Sequence, residues 1–186
     1  GKPKVTFSTK MNFNSLRKKI AYNDAQLDWA TSDATDASTV AATRYDYQDM
    51  VFQNSTGTDN YLSVSGGQGK TTYLGSLSWL QNDGIMKNTD FQRTGTRLRV
   101  NQIINDWASF SVGTYVATSK SNDMPNGGYG YGVLQTILFA DNDTNPEADA
   151  DGNYPAMTFY PNILEYLNTF EFKQTNKRAI SDIQFT

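Results

Sequence analysis

The chain has 186 residues, 16 Lys and Arg against 19 Asp and Glu, a formal net charge of −3, and neither His nor Cys. That length suits one domain or two small ones. The missing Cys excludes a disulfide scaffold, a Cys-based zinc site and a thiol nucleophile, and the missing His excludes Ser-His-Asp and Cys-His catalysis. The acidic balance leaves no footprint for a nucleic-acid partner, and 11 Tyr, 10 Phe and 3 Trp argue against plain disorder.

No stretch approaches the ~20 apolar residues that a membrane-spanning helix needs, and Gly1–Lys10 lacks the apolar core of a signal peptide. A membrane-spanning β-strand needs only about 9–11 residues of alternating pattern.

Alternation is what the sequence supplies. From Pro3 to Phe13, Val5, Phe7, Met11 and Phe13 alternate with Lys4, Thr6, Ser8, Lys10 and Asn12. A short run follows at Tyr61–Ser65, with Leu62 and Val64 apolar, and a clearer one at Thr72–Leu80, with Tyr73, Leu77 and Trp79 on one side. Leu98, Val100 and Ile104 oppose Arg97, Arg99 and Asn101, and Ala108, Phe110, Val112 and Val116 oppose Ser109, Ser111 and Tyr115. A last run covers Asn176–Thr186. These predict strands with one apolar and one polar face.

The links differ by side. Ser65–Lys70 and Ile104–Trp107 are tight polar turns, whereas Asn14–Asn60, Gln81–Asp90 and Lys120 to about Lys173 are long. Short turns at one end and long loops at the other predict an up-and-down antiparallel order, as in outer-membrane barrels; a soluble sandwich shows Greek-key links. In the first long loop, Arg44–Gln53 predicts a short amphipathic helix presenting Tyr45, Asp49 and Phe52. In the third, the segment from Ser121 to Phe172 carries acids and no Lys or Arg, which a solvated loop explains most simply; cation binding or acidic docking is the sharper alternative.

The chemical motifs fall short. Gly69-Lys70-Thr71 ends like a phosphate-binding loop, but Val64 stands where its first Gly belongs and a strand follows instead of a helix. Gly127–Gly132 lies in no βαβ unit. Asp141-x-Asp143-x-Asn145 and Asp149-x-Asp151-x-Asn153 begin like calcium loops, yet Pro146 and Tyr154 replace the obligatory Gly, and Gly152 and Tyr160 the closing Glu. Turn-forming Asp and Asn are the simpler account. No carboxylate pair sits on a rigid element as a glycosidase requires. The sequence predicts no enzyme, no cofactor and no metal.

Tyr61-Leu62-Ser63-Val64-Ser65-Gly66-Gly67, Lys70-Thr71-Thr72-Tyr73, Ser76-Leu77-Ser78-Trp79 and Gly84-Ile85-Met86-Lys87-Asn88-Thr89-Asp90-Phe91-Gln92-Arg93 together resemble a block of the SusC/RagA family of TonB-linked outer-membrane transporters. Arg97–Gln102, Tyr47–Phe52, Gly1–Phe7 and Asp149–Tyr154 resemble further family segments in the same order. Tyr47 stands where Trp is usual, Trp79 where Tyr is commoner, and Arg99 where Asn often follows Leu.

The resemblance implies an all-β fold: antiparallel up-and-down strands forming part of a transmembrane β-barrel, about six of about 22, with long extracellular loops. Residues 1–186 are then expected to be the N-terminal part of the barrel domain, without signal peptide, regulatory-like domain or plug. Val5, Phe7, Leu77, Trp79, Leu98, Val100, Phe110 and Val112 are expected to face lipid; Lys4, Lys10, Arg97, Arg99 and Tyr115 are expected to face the lumen. Implied partners are a SusD-like lipoprotein over the loops, the remainder of the barrel and plug, TonB acting through that plug, outer-membrane lipid, and an oligosaccharide or peptide substrate. The implied place is the outer membrane of a Gram-negative cell of the Bacteroidota, and the implied task is nutrient uptake. Tyr129, Tyr131, Tyr154, Phe159 and Tyr160 are candidates for stacking on sugars. The alternative is a soluble β-sandwich that binds carbohydrate.

Overall fold

The computed structural model describes residues 1–31, 33, 35–125 and 132–186. Its largest element is an antiparallel six-stranded sheet built from β1 (Lys4–Asn14), β4 (Ser55–Gln68), β5 (Thr71–Asp83), β6 (Asp90–Asn105), β7 (Ala108–Asp123) and β8 (Phe172–Phe185), in that spatial order. Each strand pairs with the previous one in the sheet, which is the predicted up-and-down order. A three-residue ribbon, β2 (Leu27–Trp29) with β3 (Thr39–Ala41), stands apart in the first long loop.

The strands outrun their alternation. Tyr61–Ser65 lies inside the 14 residues of β4, and β6 and β7 have 16 each. At ~3.3 Å per residue, 16 residues reach about 53 Å, beyond the ~25 Å apolar band of a membrane barrel even when tilted. Extra pairing comes from Ser, Thr, Gly and Asn, which lack apolar contrast but extend a ladder once a neighbour provides the edge. The turns at one end are tight. Gln68 pairs with Thr71 across Gly69-Lys70, where Gly69 takes φ +58, open to glycine at no steric cost. Asn105 pairs with Ala108 across Asp106-Trp107, and the Asn105 side chain accepts from the Trp107 N–H at 3.1 Å.

All three long loops leave from the opposite end and fold together into a cap. It holds α1 (Tyr47–Val51), α2 (Val133–Phe139) and α3 (Ile163–Thr169). The predicted helix is therefore present but shorter. Its buried side carries Tyr47, Gln48 and Val51 instead of Tyr45, Asp49 and Phe52, because Asp46 caps it and accepts from the Gln48 and Asp49 N–H groups. Asn162 caps α3 in the same way, through Leu164 and Glu165.

The hydrophobic core lies in this cap: Tyr47, Val51, Met124, Val133, Ile137, Ile163 and Leu167 are buried together. Among the described residues nothing comparable covers the sheet. Its buried residues are small or polar, among them Ser55, Asn60 and Ala108, and every residue of β8 is exposed. A soluble sandwich needs a second sheet packed on the first, and among the described residues there is none.

Candidate functional site

Register sorts the sheet's side chains onto two faces. Val5, Val64, Gly75, Leu98, Thr114 and Ser181 form one row across all six strands; Phe7, Leu62, Leu77, Thr96, Val116 and Ala179 form the next. Tyr73, Val100, Val112 and Ile183 extend this face toward the tight turns, followed by Phe110 and Phe185. Trp79 lies one row toward the cap, its ring centroid 6.4 Å from that of Phe7. The residues expected to meet lipid thus share one face. All but the half-buried Val112 lie open: Phe7 is 60% exposed and Leu98 53%. A contiguous exposed apolar surface of this extent marks an interaction or membrane surface.

Lys4, Lys10, Arg97, Arg99 and Tyr115 share the other face. Lys4, Ser65, Leu74, Arg99, Gly113 and Asp182 form one of its rows, and Arg97 sits directly opposite Tyr115 in the next. The Arg99 guanidinium donates to both carboxylate oxygens of Asp182, at 2.9 and 2.8 Å, across the intervening strand β7. Gly113 makes that possible: a Cβ there would lie 2.6 Å from the Asp182 oxygen and 3.0 Å from the guanidinium. Arg97 stacks over the Tyr115 ring, 5.3 Å from its centroid, and the Tyr115 ring in turn covers Gly95. These groups line a depression of about 350 Å³ with Leu74 and Ile180. Lys10 lies farther toward the cap, opposite Asp59.

The apolar band runs obliquely to the strands. Its last apolar residue toward the cap is Phe13 on β1, Trp79 on β5, Leu98 on β6, Val116 on β7 and Ala179 on β8; the border dips one row at β6, where Thr96 follows, and its net retreat from β1 to β8 is three rows. Three rows are about 20 Å along a strand, and five inter-strand steps are about 24 Å, so the band makes an angle of roughly 40° with the line across the strands. Strands of membrane barrels tilt by about 35–45°. On β4 the band stops early, at Leu62, because Asn60 follows; the Thr9 hydroxyl donates to the Asn60 side-chain oxygen at 2.7 Å, so this polar pair is satisfied within the sheet.

The cap is fastened by polar bonds that its composition did not reveal. The Tyr47 hydroxyl reaches the carbonyls of Asp141 and Thr144 at 2.8 and 2.7 Å, and the Gln48 amide both donates to and accepts from the Ile20 backbone. Burial, then the Asp143 charge, pushes the Tyr47 phenol up to about 12; burial, then Asp46, does the same for Tyr22. Arg44 pairs with Asp28 at 2.8 Å. The Asp28 carboxyl is lowered, first by the Trp29 N–H and then by Arg44. Lys19 bridges Asp46, at 2.8 Å, and Asp49. Burial pulls the Asp46 carboxyl up, but the bonds from Lys19 and the Asp49 N–H outweigh it and leave it lowered.

Two carboxylates of the acidic loop are spent locally: Asp143 accepts from the Thr144 hydroxyl at 3.1 Å, and Asp149 organises a turn. Asp149 accepts from the backbone N–H groups of Asn153 and Asp151 at 2.8 and 3.0 Å, closing a turn in which Gly152 has φ +85; the Asn153 N–H is the first cause of its lowered carboxyl. Among the described residues no three acidic side chains gather as a metal site would require. Of the aromatic stacking candidates, Phe159 is 82% exposed, Tyr154 accepts a bond from Asn168, and Tyr160 is half-buried. Tyr129 and Tyr131, with most of the Gly127–Gly132 run, lie outside the described residues.

Among the described residues, no helix is long and apolar enough to cross a membrane, which leaves strand crossings untouched. No family model matches the chain. Over 100 residues it is 27% identical to the TonB-dependent receptor SusC of Bacteroides thetaiotaomicron, a similarity covering 49% of this chain and 10% of that receptor. The chain therefore carries a distant likeness to a TonB-dependent receptor, extending over a small part of that receptor's length.

Proposed function

We propose that residues 1–186 form the N-terminal part of the barrel wall of a SusC-like TonB-dependent transporter in a Gram-negative outer membrane. The observation that carries this reading is the exposed apolar band, whose slope matches the strand tilt of membrane barrels. In water such a band, uncovered by any second layer among the described residues, opposes folding; in a bilayer it holds the sheet in place. The likeness to SusC supports the same assignment.

In this reading Val5, Phe7, Leu77, Trp79, Leu98, Val100, Phe110 and Val112 meet acyl chains, with Trp79 near the boundary where amphipathic rings gather. Lys4, Lys10, Arg97, Arg99 and Tyr115 line the lumen. The unpaired edges of β1 and β8 continue into the remainder of a wall of about 22 strands around a plug. TonB acts on that plug, and a SusD-like lipoprotein closes over the loops 14–60 and 120–173. The cargo is an oligosaccharide or peptide, carried and not chemically altered.

Fractionation tests this reading. The protein carrying this chain sediments with outer membranes, resists extraction by high salt and carbonate, and is released by detergent. Recovery as a folded, detergent-free monomer in the aqueous phase overturns the assignment.

A further inference from the structure

The oblique band gives its cap-side border a composition of its own on β7 and β8. Directly beyond Val116 and Ala179 on the same face stand Thr118 opposite Lys177, then Lys120 opposite Thr175. Lys120 and Lys177 are diagonal neighbours, within about 7–8 Å of each other across the strand pair. Both are exposed, and neither forms an ion pair among the described residues. Lys120 borders a groove of about 320 Å³ with Gln92, Asn122, Thr175, Lys173 and Asp90. Lys173 is committed to Glu171 at 2.8 Å. Thr175 and Gln92 in the groove offer a hydroxyl and an amide beside Lys120, and Thr118 offers a hydroxyl directly opposite Lys177; the groove itself takes in Lys120 and the Asp90 carboxylate, and Lys177 stands outside it, one row nearer the turns.

We propose that Lys120 and Lys177 bind the phosphate of an anionic lipid in the leaflet on the cap side of the bilayer. This rests on the apolar face being the lipid face. The occupant follows from continuity: a phosphate held between these ammonium groups places its acyl chains over Val116 and Ala179 and, past the Thr114 and Ser181 hydroxyls that bond each other at 3.1 Å, over Val112 and Ile183 on the same face toward the turns. An acidic protein segment gains nothing from that apolar strip. An amphipathic anion uses both parts.

The test uses the full-length protein in detergent micelles, titrated with phosphatidylglycerol or with phosphatidylcholine of the same chain length, bound lipid being counted by native mass spectrometry. Wild type takes up phosphatidylglycerol in preference, and K120A/K177A binds it roughly thirty-fold more weakly, about five-fold per ammonium. Phosphatidylcholine uptake is unchanged, which shows that the variant is folded, and K120R/K177R keeps the preference. Equal phosphatidylglycerol binding by wild type and K120A/K177A overturns the proposal. Displacement of the lipid by 10 mM inorganic phosphate also overturns it, since the groove is then a free-phosphate site. Uptake of neither lipid by wild type overturns the lipid-face reading underneath as well, so the two failures are distinguishable.

Discussion

Leu98→Arg probes the apolar face where the two solvents give opposite answers. Leu98, between Gly75 and Thr114, is the last apolar residue of β6 toward the cap, but on the flanking strands the band runs from Tyr73 to Trp79 and from Phe110 to Val116, so Leu98 lies near its mid-depth, and about half of the residue already lies open. Were that face in water, the substitution would remove little packing and cost no more than about 0.5 kcal/mol, as for other surface changes. In a bilayer, an Arg near the midplane costs about 2–4 kcal/mol, roughly thirty-fold to several-hundred-fold in the folding equilibrium. Gln92→Arg is the matched control. It lies on the same strand and face, two rows beyond Thr96 and past the border of the band, about 20 Å along the strand from Leu98, where the cost falls to about 0–1 kcal/mol. Urea unfolding of the protein in phosphatidylcholine vesicles reads both. A Leu98→Arg cost within about 0.5 kcal/mol of the Gln92→Arg cost refutes the reasoning.

The cap yields two further predictions. Tyr47→Phe removes the donor to the carbonyls of Asp141 and Thr144 in a fully buried position, so cap stability falls by about 1–3 kcal/mol, read as faster hydrogen exchange in α1 with little change in β5 and β6. The cap also has a pH window. Asp28, Asp46 and Asp149 have lowered folded values, so their stabilisation is present above the unfolded carboxyl value of ~3.9 and is lost as pH falls through the lower folded values. Tyr22 and Tyr47, raised to about 12, stabilise fully below the unfolded value of ~10, and that contribution is lost as pH rises toward 12. Limited proteolysis of the cap across pH checks both limits; a flat profile contradicts them.

The strands were legible because a side-chain period of two survives in any sheet with unlike faces, and the order of strands followed from the lengths of their links. Strand ends were not legible. Thr56, Thr58, Gly66 and Gly67 carry no apolar contrast, and they join β4 through the backbones of β1 and β5. The cap helices α2 and α3 hid in a long acidic segment, although Val133, Leu134, Ile137 and Leu138 have helical spacing, and Asn162 with Glu165 three residues on is a recognisable helix start. The ribbon β2–β3 is too short for any period to register. The Arg99–Asp182 bridge required knowing that β6 and β8 flank a glycine on β7. Spacing along the chain, a sequence separation of 83, gives no hint of it.

The chain has no Cys, so single cysteines can be introduced into a clean background. Nitroxides at Ser76, Leu77, Ser78 and Trp79 on β5, in the membrane-inserted protein, test the central claim most directly. The account predicts that labels at Leu77 and Trp79 relax with dissolved oxygen and those at Ser76 and Ser78 with a water-soluble nickel chelate, alternating with period two. Equal access of the nickel chelate to all four positions contradicts it.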